Sequence, residues 1–253
     1  MNTDYPYELF FGIVGSLGTN LDEIVSQMET ILKTVNFETK IIVLSDLIKQ
    51  FEKYQTRHEY EDERINFLMT AGDDIRKNFN LGEALSILAI NKVREIRGEQ
   101  TKNKKPLSRI AYIFKSLKHP DEVTFLRKIY RSSFYLISIY SPRDTRIDYL
   151  TRKIATSRGD SKSIKYRSNA EELVQRDESE IGLPKYGQNV RDTYPKGDVF
   201  IDSRTRTESE ESLKRFIYLI FGNTFYTPTI EEFGMFNAYA SARRSGSLAR
   251  QVS

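Results

Sequence analysis

The sequence predicts an α/β fold, a mostly parallel sheet in a three-layer arrangement, on three observations. Its apolar runs at 9–14, 40–44, 110–114 and 134–140 lack polar alternation, as strands buried on both faces do. Helical spacing of apolar residues follows each run, the order that makes right-handed parallel units. Turn and helix-start residues separate the two patterns, and no internal repeat of solenoid length interrupts them.

The first run ends in Gly12, Gly15 and Gly18 at a spacing of three and passes into a helix carrying Leu21, Ile24, Val25, Met28, Ile31 and Leu32. Thr19 or Asn20 is placed to cap that helix, with Asp22 and Glu23 in its first turn. A second strand is predicted at 40–44, and Ser45-Asp46 opens a helix with Leu47, Ile48 and Phe51. Residues 52–63 are polar. Ile65, Leu68, Met69 and Ile75, then Leu81, Leu85, Leu88 and Val93, mark an inserted pair of helices above the sheet, and 97–105 reads as a basic loop. After the strand at 110–114, Pro120 with Asp121 and Glu122 starts a helix through Val123, Leu126 and Ile129. Ser141-Pro142 starts the helix that follows the strand at 134–140. Between 141 and 169 stand eight basic residues (Arg143, Arg146, Arg152, Lys153, Arg158, Lys162, Lys165, Arg167) against three acidic ones, a net of +5. The half from 156 to 168 reads as a mobile basic lid, since arginine grips phosphates bidentately. A short helix at 170–176, a turn at 182–187, a strand at 197–202 and a helix through Leu213, Phe216 and Ile217 complete this unit. Residues 223–228 read as a linker between a domain at 1–222 and a terminal segment at 229–253. The helix in that segment carries Phe233 and Phe236 on one face, which implies self-association.

Glycines at the end of a buried strand let a backbone approach an anion, and the helix N-terminus beyond them favours negative charge. This is the layout of a phosphate loop. In the register that starts at Gly15, the motif's lysine falls on Leu21 and its hydroxyl on Asp22, so the architecture fits and the catalytic positions do not. Candidate nucleotide contacts are Gly12, Gly15, Ser16, Gly18 and Thr19. Lys118, from the end of the third strand, is the candidate to supply the missing cation, and Arg143, Arg146 and Arg152 are the candidate lid contacts. A Gly-rich turn that merely lets strand and helix pack accounts for the same glycines.

Composition limits the chemistry. The 253 residues contain no cysteine and two histidines, His58 and His119, which excludes disulfides, thiolate nucleophiles and cysteine-ligated zinc, so no metal site is assigned. Magnesium would arrive with a nucleotide. No run is long enough to span a bilayer and no signal peptide is evident at the start, so a soluble cytoplasmic protein without membrane contact is expected. The formal charge of +4 permits nucleic-acid binding without demanding it.

Several stretches together resemble the antiviral deoxycytidylate deaminases of bacteria, which join a P-loop kinase-like domain to a zinc-dependent cytidine deaminase domain. The stretches are Phe11-Gly12-Ile13-Val14-Gly15-Ser16-Leu17-Gly18-Thr19, Glu63-Arg64-Ile65 with Met69-Thr70-Ala71-Gly72, residues 112–123, Tyr186-Gly187-Gln188-Asn189-Val190, Phe221-Gly222-Asn223, and 228–252. The last is similar to the opening helix of the deaminase domain. Resemblance thus implies a kinase-like domain followed by the start of a truncated second domain. The family's zinc chemistry needs an H-x-E and a P-C-x-x-C, and this sequence has neither, so neither zinc binding nor cytosine deamination is expected of it. Three functions remain: a nucleotide-binding or phage-triggered regulatory module of an anti-phage deaminase, an active nucleoside or nucleotide kinase, and a module contacting regulatory RNA through 141–169.

Overall fold

The computed structural model describes residues 8–100, 105–179 and 186–244. Among them, five strands form one all-parallel sheet in the order β2-β3-β1-β4-β5: β1 (Leu9–Gly15), β2 (Glu38–Val43), β3 (Ile110–Lys115), β4 (Phe134–Tyr140) and β5 (Val199–Asp202). β1 lies at the centre, with Leu9 opposite Ala111 of β3 and Gly15 opposite Ile139 of β4. All seven of its residues are buried, which is why the run carries no polar alternation. The edge strands are less covered, and Ile41 of β2 and Phe200 of β5 are exposed.

The helices are α1 (Leu21–Thr34), α2 (Leu44–Leu47), α3 (Glu61–Phe79), α4 (Ala84–Gln100), α5 (Pro120–Tyr130), α6 (Arg143–Ser157), α7 (Arg167–Ser179), α8 (Val190–Thr193), α9 (Arg206–Ile220) and α10 (Ile230–Arg244). Successive strand residues point to opposite faces, so the sheet divides its core in two. Phe10, Val14, Ile42, Tyr112, Phe114 and Leu136 pack with residues of α3, α4 and α5. Phe10 stacks between Tyr112 and Tyr130, with ring centroids 5.1 and 3.6 Å away. On the other face Phe11, Ile13, Ile113 and Ile137 are buried, and α1 contributes Ile24, Val25, Met28, Ile31 and Leu32. Helices on both faces of one parallel sheet make the three layers. A further cluster of Ile65 and Met69 from α3, Ile147, Leu150 and Ile154 from α6 and Leu173 and Val174 from α7 packs against Leu17, just past the carboxyl end of β1.

Two stretches read as loops are helical. Within 97–105, α4 runs on to Gln100, because Arg97 pairs with buried Glu8, which also accepts hydrogen bonds from Leu107 N (2.9 Å) and the Tyr112 hydroxyl (3.2 Å). Residues 101–104 of that stretch lie outside the described residues. Within 156–168, α6 extends to Ser157, one helical turn covers Ser163–Tyr166, and α7 begins at Arg167 instead of 170. Ion pairs supply the order there. Arg158 donates to both oxygens of Asp62 at 2.9 Å, with its guanidinium 4.0 Å from the Tyr60 ring centroid and 5.4 Å from that of Tyr166. Arg167 reaches Asp148 (2.6 Å) and Glu171 (3.0 Å), and Lys165 reaches Asp160 (3.0 Å).

Burial works to raise the pKa of Asp62, but hydrogen bonds from Asn169 and Arg158 outweigh it and hold the carboxyl below the usual range. A carboxylate with a lowered folded-state pKa adds stability that is whole above its unfolded value of about 3.9 and is lost as pH falls through the folded one. Asp62→Asn is therefore expected to flatten the acid limb of the stability curve below about pH 4. Urea midpoints against pH provide the check. An unchanged acid limb would show that the Arg158 clamp contributes nothing in solution.

The chain divides into two compact units, 1–214 and 215–253, at a point inside α9 and upstream of the boundary at 222 read from sequence. In the second unit α10 opens with a reciprocal cap: Thr229 Oγ1 accepts from Glu232 N (3.2 Å) and Glu232 Oε2 accepts from Thr229 N (2.8 Å). Ile230, Phe233, Met235, Phe236 and Tyr239 of this helix are exposed. Residues 182–185 of the predicted turn, and 245–252 of the resembling segment, lie outside the described residues. Among the described residues no helix is long and apolar enough to cross a membrane.

Candidate functional site at the carboxyl edge of the sheet

A parallel sheet gathers the loops after its strands at one edge, where ligands bind in α/β folds. Here the turn Ser16-Leu17-Gly18-Thr19 leaves β1 beside Ser116 and Lys118 after β3 and Ser141 after β4. Asn20 caps α1, its side chain accepting from Glu23 N at 3.4 Å.

The glycines divide by role. Gly12 sits inside β1, where a Cβ would come within 2.6 Å of Leu117 Cδ1 and 2.9 Å of Phe134 Cζ, so it serves packing and not a ligand. Gly18 has φ +87°, and a Cβ there would lie 2.6 Å from the Arg146 carbonyl oxygen, so it lets the backbone of α6 close on the turn. Only Gly15, whose nearest neighbour would be the flexible tip of Leu21 at 3.1 Å, is left without a packing demand of that strength. The packing explanation accounts for two of the three.

The turn nevertheless holds an anion, and the chain provides it. Leu17 N donates to Asp177 Oδ2 at 2.7 Å, and Lys118 Nζ lies 3.2 Å from Asp177 Oδ1 and 3.4 Å from the Gly15 carbonyl. The Asp177 side chain is 2% exposed. Lys118 thus reaches the first turn as its position after β3 suggested, but its charge is already matched by α7. Arg146 donates to the Leu17 carbonyl (3.1 Å) and to Glu178 Oε1 (2.7 Å), and Arg143 reaches Glu178 Oε2 (3.2 Å). Burial acts to raise the Glu178 pKa, but the Arg146 and Arg143 hydrogen bonds prevail and keep it below the usual carboxylate range. Arg152 lies farther along α6: it lines an open cleft of about 510 Å³ whose Arg64, Tyr149 and Lys153 also line a cavity beside the turn.

Two cavities flank the turn. One of about 340 Å³ is lined by Ser16, Tyr140, Ser141, Arg146, Asp177, Arg191 and Tyr194; the other, of about 400 Å³, by Thr19, Asp22, Ile48, Met69, Arg76, Lys115, Lys118, Tyr149 and Lys153. Gln188 lines both. In the second cavity Asp22 pairs with Lys115 and lies 3.8 Å from Lys153; these partners outweigh burial and lower its pKa. The hydroxyl of Thr19 and the Oε1 of Gln188, both residues more than nine-tenths buried, have no hydrogen-bond partner among the described residues.

Beneath Lys118 lies a buried ionic network. Arg76 Nη2 meets Glu122 Oε1 at 3.0 Å, with side chains 1% and 0% exposed, and Arg76 Nη1 meets Asp73 at 3.3 Å. Glu122 Oε2 accepts from Lys118 N (2.7 Å) and His119 N (3.1 Å), and Asp73 accepts from Gln188 N (3.0 Å). Burial raises the Asp73 pKa. These bonds fix the backbone that presents Lys118 and Gln188. Asp177, Glu178 and Arg76 were not singled out from sequence; Glu122 was read as a helix-start residue and Gln188 within a resembling stretch. The charge count over 141–169 stopped just short of Glu171, Glu172, Asp177 and Glu178, and carrying it through α7, Arg176 included, lowers the net from +5 to +2. Among the described residues no three of His, Cys, Asp and Glu converge as a metal-ligand set.

No family model matches the chain, and no curated protein matches it. A solved structure described as APE1195 superposes with a TM-score of 0.41 at 10% identity, over 86% of this chain and 97% of its own.

Proposed function

We propose that residues 1–214 form a nucleotide-binding regulatory module, kinase-like in layout and of the kind that accompanies an anti-phage deoxycytidylate deaminase. One observation carries the reading: the turn after β1 binds a carboxylate through Leu17 N–H and Lys118 Nζ, so the donors of an anion seat are assembled and correctly aimed. Phosphate is the larger anion of the same chemistry. Binding is favoured over phosphoryl transfer because the turn lacks a lysine of its own and Lys118 is committed to Asp177. Thr19, with an unpartnered hydroxyl in the turn, is the residue that would face a nucleotide's magnesium, which supplies charge neutralisation of the phosphates. Arg143 and Arg146 pair with Glu178, Arg158 with Asp62 and Arg167 with Asp148, which leaves fewer uncompensated cations in 141–169 for an RNA backbone, so that reading falls behind.

Two cavities on either side of one turn also suit a two-substrate transfer, and this keeps a nucleoside or nucleotide kinase as the second reading. Calorimetric titration with NTPs and dNTPs in magnesium is expected to show binding of at least one. Absence of heat with all of them removes the nucleotide reading. Labelled phosphate transfer to a nucleoside panel, abolished by Lys118→Ala, would favour the kinase instead.

A further inference from the structure

Building on the proposed phosphate seat, we infer that α7 is a tethered competitor for it: Asp177 holds the seat closed, and a phosphate-bearing ligand enters by displacing that carboxylate from Leu17 N–H and Lys118 Nζ. The seat is regulated by a piece of its own chain.

Three features support this. The first is equivalence of chemistry: Asp177 makes the backbone and cation contacts that a phosphate oxygen would make, at 2.7 and 3.2 Å, so the two anions cannot both be seated. The second is unused capacity. A carboxylate brings two oxygens and both are engaged, yet the buried hydroxyl of Thr19 in the same turn has no partner among the described residues. A phosphate ester has oxygens enough for the Leu17 amide, Lys118 and Thr19 together. The third is the position of the acids on their helix. Asp177 and Glu178 stand in the last turn of α7, where the helix dipole disfavours negative charge, so Lys118, Arg146 and Arg143 offset a local cost there, while Arg176 ties the same turn to Thr70 of α3 at 3.0 Å. Displacement of Asp177 removes one of these supports. The end of α7 should then loosen, converting phosphate occupancy into a change in a helix that also packs on α3 and α6.

The test compares the full chain with Asp177→Asn, which keeps shape and an acceptor oxygen but loses the charge. Probes are magnesium-bound NTPs and dNTPs, with pyrophosphate to separate phosphate recognition from base recognition. The variant is expected to bind about tenfold more tightly or better, the factor by which a state closed for about 90% of the time weakens apparent affinity. Added ligand should speed amide exchange at 174–179 in the unsubstituted chain, and Lys118→Met should abolish binding in the Asp177→Asn background. Equal affinities for the two chains overturn the latch while leaving the phosphate seat standing. No binding by either chain, both folded by circular dichroism, overturns the phosphate seat and the latch with it. Should Asp177→Asn fail to fold, Glu178→Gln frees Arg143 and Arg146 without entering the seat. Ligand-dependent exchange at 174–179 that stays unchanged in both that variant and the unsubstituted chain overturns the proposal.

Discussion

Glu122→Ala is expected to lower the unfolding free energy by roughly 3–5 kcal/mol, a large share of what holds a domain of this size together. The substitution leaves the Arg76 guanidinium, 1% exposed, without its main carboxylate, and the partner that remains, Asp73 at 3.3 Å, is itself made costly to ionise by burial. It also strips the acceptor from Lys118 N and His119 N at the start of α5. Removing the charge from both sides is the informative contrast, because a buried pair replaced together costs much less than a pair broken on one side. Arg76→Met with Glu122→Gln, which keeps an oxygen for the two amides, should therefore recover part of the loss. Urea unfolding of Arg76→Met, Glu122→Gln and the two combined measures the coupling. A double variant that loses the sum of the two single losses would show that the pair carries no coupling.

Gly18→Val is expected to cost a similar amount by another route. Its φ of +87° is a backbone region that a β-branched residue adopts only at a cost of roughly 1–3 kcal/mol, and the new Cβ would lie 2.6 Å from the Arg146 carbonyl oxygen. That contact is to backbone, so α6 has to move, adding about 1–3 kcal/mol of overpacking strain. Gly159→Ala separates the two contributions, because its φ is +65° and nothing lies within 4 Å of the added carbon. Thermal unfolding should rank Gly18→Val well below Gly159→Ala. Equal losses would mean that the approach of α6 to the turn is not a constraint. Arg146 should also lose its bond to the Leu17 carbonyl as α6 shifts, so the first variant is expected to disturb the seat as well as the fold.

The strands were legible because their burial is written in local pattern: β1 is apolar throughout, and β3 and β4 are so apart from Lys115 and Ser138, as a strand covered on both faces reads. Asn20 and Thr229 as caps and Pro120 as the first residue of α5 announced helix starts that need only their own next few residues. What the pattern did not reveal was pairing at long range. Arg97 looked like loop because its reason to be helical is Glu8, 89 residues away. Arg158 looked free because Asp62 lies 96 residues before it. The same limit governs the candidate site. Gly15, Ser16, Thr19, Lys118 and Arg146 do meet around one turn, but Asp177, which decides whether that turn is open, is 160 residues from the amide it caps. A charge run read by itself shows its cations, and only the fold shows what answers them.

The place of β1 in the sheet also bears on how the chain comes off the ribosome. Its neighbours are β3 and β4, so neither edge of this fully apolar strand can be sealed before residues 110–115 have emerged, and the second stays open until 134–140 follow. Because translation proceeds at about 5–20 residues per second, β1 waits several seconds with backbone donors and acceptors unpaired. Parallel pairing across such separations is slow even once the partners are present. During that interval the nascent chain is a target for holdase chaperones and a template for strand addition by a neighbour on the same polysome.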